Sequence, residues 1–211
     1  MESRRSGKCA SGYTLIELLV VLAIVGILAI VSVQMIGNRP ATAVHAVMDE
    51  LEGVIAAAHQ GTTSTLGDIT LTATGNWTAA TPATLTYTGA TTTSDRFVYT
   101  PGSQAYQYAG VDCGTGWSND AIASLSDVPP FKTDPNFLAA LGTTSNLFEN
   151  HSAVINGYSK RANQGFYIAV VGLRDGAPAP DGPVGVLVMP AGSGTVYKYF
   201  RTNSAEPWRR L

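Results

Sequence analysis

Glu17 stands at the front of an unbroken apolar run. Gly12-Tyr13-Thr14-Leu15-Ile16-Glu17 opens directly into Leu18-Leu19-Val20-Val21-Leu22-Ala23-Ile24-Val25-Gly26-Ile27-Leu28-Ala29. Placing Asp, Lys or Arg at a bilayer centre costs about 2.5–3.5 kcal/mol on the lenient insertion scale, and Glu is comparable. A carboxylate there needs a reason, and the chemistry it offers is charge pairing inside an apolar phase. Other residues able to do chemistry are sparse. The chain has three histidines, His45, His59 and His151, and two cysteines, Cys9 and Cys113. His45 and Asp49 lie one helical turn apart and could ligate a metal, but a solvent-facing i, i+4 pair accounts for them. Neither Cys113 with His151 nor Ser152 with His151 has a catalytic signature around it. Gly114-Thr115-Gly116 follows no long apolar strand and opens no helix, so it is a weak phosphate cradle. Asp175 and Asp181 flank Gly-Pro-rich turns, and Asp120, Asp127 and Asp134 form a spaced acidic set. None makes a dense calcium loop, and turn formation explains them. The expectation is a non-enzymatic protein with no catalytic residue, metal or cofactor.

The segment from Ser11 to Ile36 resembles the amino terminus of type IV pilins and of type II secretion pseudopilins. A glycine, an aromatic, Thr-Leu-Ile-Glu-Leu and an apolar helix coincide there. The resemblance implies a membrane-embedded prepilin peptidase that cuts after Gly12 and methylates the new terminus at Tyr13, where the family usually has Phe. It also implies that Glu17 pairs with the amino group of a neighbouring subunit's first residue as helices stack into a filament. Such a pair would offset the cost of burying the carboxylate. The implied partners are prepilin peptidase, other pilin or pseudopilin subunits bound through the N-terminal helix, and the inner-membrane assembly machinery.

Three other readings compete. An ordinary secretory signal could be cut at Ala41-Thr42-Ala43, leaving Val44 as the mature terminus, but the run from Leu18 to Val33 is longer than a usual signal core. Ser3-Arg4-Arg5 hints at a twin-arginine signal, yet Ser6-Gly7-Lys8 lacks the apolar residues that should follow. A plain signal anchor with an incidental Glu leaves Gly12 and Thr14-Leu15-Ile16 unexplained.

Charge and composition narrow the setting. At 211 residues the chain holds one domain plus a membrane helix. Arg4, Arg5 and Lys8 outnumber Glu2 in the leader, so its removal takes the net charge from −2 to −4. Basic residues before the helix and few after it (Arg39 is the exception) orient the amino terminus toward the cytoplasm and the remainder toward the periplasm. A mildly acidic domain without a basic stripe argues against nucleic-acid binding. Cys113 would be alone after leader removal, so no internal disulfide forms; many pilins have one, and this chain departs from them.

The elements follow from periodicity. Tyr13 to Ile36 would be about 36 Å long as a helix, enough to span a bilayer. Gly37-Asn38-Arg39-Pro40 interrupts it. Helical spacing then resumes from Ala41 to Gln60, with Val44, Val47, Met48, Leu51, Val54, Ile55 and Ala58 on one stripe, Asp49, Glu50 and Glu52 away from it, and Gly61 as a stop. Ile69–Thr72, Leu85–Thr88 and Phe97–Thr100 alternate as half-exposed strands. Asp134, Pro135 and Gly142 frame a short helix. Phe166–Val171, Val184–Met189 and Thr195–Phe200 are strands joined by turns at Asp175-Gly176, Asp181-Gly182 and Gly192-Ser193-Gly194, which implies an antiparallel meander. Trp77, Tyr87, Tyr99, Tyr106, Tyr108 and Trp117 suit core packing better than an adhesive surface, and the basic tail Trp208-Arg209-Arg210-Leu211 reads as exposed.

The fold expected is α+β and pilin-like: a long N-terminal helix, half membrane and half amphipathic, packed on an antiparallel sheet. Its parts are a leader at 1–12, a transmembrane and polymerisation helix at 13–38, an amphipathic helix at 39–61 and a β-rich periplasmic domain at 62–211. The expected function is that of a minor pilin or pseudopilin, processed by prepilin peptidase and assembled into a pilus or secretion pseudopilus. The alternative is a membrane-anchored or secreted periplasmic binding module that does not polymerise.

Overall fold

The stripe from Val44 to Ala58 is the seam around which the larger part of the chain folds. In the computed structural model it lies on α2 (Arg39–Thr65), and Val44, Val47, Met48, Leu51, Val54, Ile55 and Ala58 are all buried. The structure describes residues 15–37, 39–75, 83–89, 96–98, 100, 107–112, 122–150, 152–179 and 181–211. The expectations for the leader 1–12, Gly12 and Tyr13 fall outside those residues, as do those for Trp77, Tyr99, Tyr106, Cys113, Gly114-Thr115-Gly116, Trp117, Asp120 and His151. The chain divides into two compact units, Met1–Asn38 and Arg39–Leu211. The first contains α1 (Leu15–Gly37).

The second unit is α+β, with its helices set against antiparallel sheets. One sheet has the order β3-β2-β1-β6, built from β1 (Ile69–Thr74), β2 (Thr84–Gly89), β3 (Arg96–Val98) and β6 (Ser152–Ile155). The other has the order β11-β10-β9-β7-β4, built from β4 (Ala109–Val111), β7 (Phe166–Arg174), β9 (Val184–Met189), β10 (Tyr197–Arg201) and β11 (Arg209–Arg210). Two short strands also pair with β7: β5 (Ser145–Asn146) in parallel and β8 (Ala177–Pro178) antiparallel. The expected meander is present as β7-β9-β10, with Ile168 opposite Leu187 and Leu187 opposite Lys198. The expectation of a single sheet is corrected to two, both of which contribute side chains to the core around α2. Ile69, Leu71, Leu85 and Phe97 come from the first sheet, and Ile168, Val170, Leu187 and Phe200 from the second.

The larger sheet is covered on both faces. Alternate residues Tyr167, Ala169, Val171, Val186 and Val188 turn away from α2 into a second core with Leu125, Phe131 and Leu141. α3 (Pro135–Gly142) and the helical turn 122–125 supply that cover. Tyr199 anchors it: the ring is buried and its hydroxyl donates to the Pro129 carbonyl at 2.7 Å. Burial pushes the phenol up to about 12. Asp134 caps α3 as the sequence foretold, its Oδ1 accepting from the Asn136 N–H at 2.8 Å, with Pro135 in the first turn.

Gly61 does not stop α2, which continues to Thr65. The glycine serves packing instead. A Cβ there would lie 2.6 Å from Ile69 Cδ1, so its absence lets the start of β1 close on the helix. The added turn carries hydroxyls that supply donors to the carbonyl end. Thr62 donates to the His59 carbonyl at 2.7 Å, and Ser64 and Thr65 donate to that of Gly61 at 3.0 Å each. Leu66 then ends the helix in the left-handed region at φ 54°, its N–H donating to the Thr62 carbonyl at 3.1 Å.

The C-terminal tail is not a free basic arm. Its backbone forms β11 on β10, with Arg210 opposite Tyr199. The Trp208 indole donates to Ser124 Oγ at 2.8 Å, and the Arg201 guanidinium lies 4.7 Å from the centre of its ring. The arginine side chains themselves remain exposed.

Candidate functional site

α1 is apolar on every side. Ile16, Leu18, Leu19, Val20, Val21, Leu22, Ile24, Val25, Ile27 and Leu28 are consecutive enough to cover all faces of a helix, and each is more than half exposed. A helix hydrophobic all round belongs in a protein core or an apolar phase. Glu17 lies in its first turn and its side chain is exposed. That position suits a carboxylate, because the positive end of the helix dipole favours negative charge by about 0.3–1 kcal/mol. Among the described residues no helix is long and apolar enough to cross a membrane; the side chains of α1 are described only from Ile16 to Leu28.

On the second unit the charged groups hold α2 in place. The Lys198 ammonium donates to Asp49 Oδ1 and to Glu52 Oε2, both at 2.7 Å. Burial alone would lower its pKa, but the hydrogen bonds to the two carboxylates outweigh burial and hold it above the usual lysine value. Lys160 does similar work at the carbonyl end of α2, donating from Nζ to the carbonyls of Thr62 and Gly157. No basic residue stands in the last turn of α2 itself, so a loop cation complements that end of the dipole. His59 lies nearby, and burial, then the Lys160 charge, lower its pKa.

The structure separates the groups that the sequence offered as alternatives. His45 and Asp49 are not a pair: the His45 ring sits 4.0 Å from that of Phe200, and Asp49 is held by Lys198. Asp181 accepts from the Ser204 N–H at 3.0 Å and from its hydroxyl at 2.5 Å; the hydroxyl first, then the N–H, lower its pKa. Asp175, at φ 53°, and Gly176, at φ 77°, make the tight turn between β7 and β8. Among the described residues no group of three or more His, Cys, Asp or Glu could hold a metal ion. Tyr87 is buried and Tyr108 packs against the core.

Sequence reasoning passed over Lys198 and Lys160. Lys198 had a usable signal. Lys198 and Phe200 share one face of β10 by the two-residue period, Val196 lies two residues before Lys198, and Val196 and Phe200 pack in the core around α2. A lysine between them requires acids on the facing helix, and Asp49 and Glu52 are spaced i, i+3. Lys160 had none, since its role depends on where the loop after β6 meets α2.

The model of the prokaryotic N-terminal methylation motif matches residues 7–33, the segment that holds Gly12, Tyr13 and Glu17. These residues are a prepilin-type signal of the kind carried by type IV pilin and pseudopilin precursors. No curated protein and no solved structure matches the chain.

Proposed function

We propose that this chain is a type IV pilin-like structural subunit, a minor pilin or pseudopilin. Prepilin peptidase cuts it after Gly12 and methylates Tyr13, and α1 carries it into a pilus or secretion pseudopilus. The observation that supports this best is a carboxylate in the first turn of a helix apolar on every face, inside the matched segment. A helix over Leu15–Gly37 is about 35 Å long, against about 30 Å of hydrocarbon. In the inner membrane its amino terminus faces the cytoplasm, following Arg4, Arg5 and Lys8. Residues from Arg39 onward then fold in the periplasm. On assembly, Glu17 meets the Tyr13 amino group of the next subunit, and α1 exchanges lipid for neighbouring helices.

The experiment is mass spectrometry of the protein extracted from membranes. The expected terminus is N-methylated Tyr13, and replacing Gly12 with a bulky residue should leave the precursor uncut. A terminus at Met1 or at Val44 would end this reading.

A further inference from the structure

Two clefts on the Arg39–Leu211 unit are neighbours, with Ala191 lining both. The first, about 320 Å³, lies between α3 and the turn from β9 to β10. Its walls include the rings of Phe137 and Tyr197, edge to face at 5.6 Å, with Asn136, Thr195 and Arg161 around them. The second, about 680 Å³, is lined by Ser145, Asn150, Ser152, Asn163 and Gln164. Both volumes are of the size of small-ligand clefts. Arg161 is the one charged residue lining either of them among the described residues. The side-chain amides and hydroxyls of Asn136, Ser145, Asn150, Ser152, Asn163, Gln164 and Thr195 are committed to no partner among the described residues, and neither is the Arg161 guanidinium.

The surface is preformed. Gly192 N–H donates to the Ala162 carbonyl and Ala162 N–H to that of Ser193, both at 2.9 Å, while Thr195 N–H donates to Ser193 Oγ at 3.0 Å. Gly165 brings the two clefts together, for a Cβ there would lie 2.8 Å from the Ala191 nitrogen. A fixed surface loses little entropy on binding.

We propose that this surface binds a short acidic oligosaccharide. Amides and hydroxyls present donors and acceptors side by side, as vicinal sugar hydroxyls require. The half-buried Phe137 ring gives an apolar patch for the C–H face of a sugar ring, while the Tyr197 ring carries the Arg210 guanidinium 5.2 Å from its centre. The Arg161 guanidinium, which lines the same cleft as the aromatic pair, receives one carboxylate in a bidentate pair. An apolar ligand would leave the second cleft's polar groups unsatisfied. A nucleic acid would call for an array of cations, and among the described residues the clefts hold one.

The test uses the full chain in detergent micelles and isothermal titration with three probes: a galacturonate tetrasaccharide, a neutral galactose tetrasaccharide and a short single-stranded oligonucleotide. The uronate should bind about tenfold more tightly than the neutral sugar, the effect of one charge-assisted contact. Arg161→Gln should remove that preference and leave neutral binding unchanged. Asn163→Ala with Gln164→Ala should weaken both sugars alike. All three residues are exposed, so the variants should melt with the parent. The proposal is overturned if the parent binds neither sugar, if Arg161→Gln binds the uronate as the parent does, or if the oligonucleotide binds more tightly than the uronate.

Discussion

α1 and α2 follow one another in the chain and are patterned in opposite ways. α2 has one apolar stripe, fully enclosed by two sheets, and carboxylates on its flanks that Lys198 holds. α1 has apolar side chains on every face and a single carboxylate near its start. A helix of the first kind is completed by its own chain, so its sequence can be read as part of a domain. A helix of the second kind cannot be completed by one sheet, because no single face is the one to cover. Its stability must come from lipid or from other helices. The same physics therefore makes α2 a device for folding and, under the proposed function, α1 a device for association.

The largest effect should separate the two helices directly. Leu51→Asp places a charge among the buried stripe and should cost about 4 kcal/mol by chemical denaturation. Leu22→Asp, the equivalent change on α1, should leave the melting of the Arg39–Leu211 unit unchanged and lower recovery of the protein in membranes. If Leu51→Asp melts with the parent, α2 is not packed as described. Gly185→Ala should follow, at about 1–3 kcal/mol, since a Cβ there would lie 1.9 Å from Met48 Sδ. Adding Met48→Ala should cost less in that background than in the parent, because the two sites share one volume.

Lys160→Met comes next, at about 1–2 kcal/mol, through the loss of charged hydrogen bonds to Thr62 and Gly157. Hydrogen exchange should rise in the last turn of α2 and stay constant near Val44. The smallest effect is in pH. The folded His59 resists a proton that the unfolded chain accepts near the ordinary 6.5. Its contribution is thus present above that pH and declines as pH falls. His59→Gln should flatten the fall in melting temperature between about pH 7 and pH 5; a parallel fall in parent and variant would show that other groups carry it.

What could be read in the sequence was local or periodic. The stripe from Val44 to Ala58, the bounds of β9 and the Asp134 cap of α3 each depend on residues within a few positions of one another. The second layer of the larger sheet was missed. Phe166–Val171 and Val184–Met189 are apolar at every position, which signals burial on both faces, but the covering residues Leu125, Phe131 and Leu141 are too scattered to show a period. β4, β6 and β11 were missed because strands of two to four residues take their identity from partners distant in sequence. Gly61 misled for a related reason: its job is contact with Ile69, and spacing alone cannot tell a packing glycine from a stop. Of the candidate site, Glu17 was legible because a charge in an apolar run is costly wherever it ends up. Lys160 was not, because its partners are carbonyls that any sequence would have.

The central claim, that α1 exists to associate, is tested most directly by Glu17→Gln, which keeps shape and removes charge. Sheared filaments and membranes from cells expressing the parent or the variant would be quantified by immunoblot. The Gln form should be present in the membrane, cut after Gly12 and folded from Arg39 onward, yet depleted from the sheared fraction. Incorporation equal to the parent's would contradict the pairing of Glu17 with Tyr13 and leave α1 as a simple anchor.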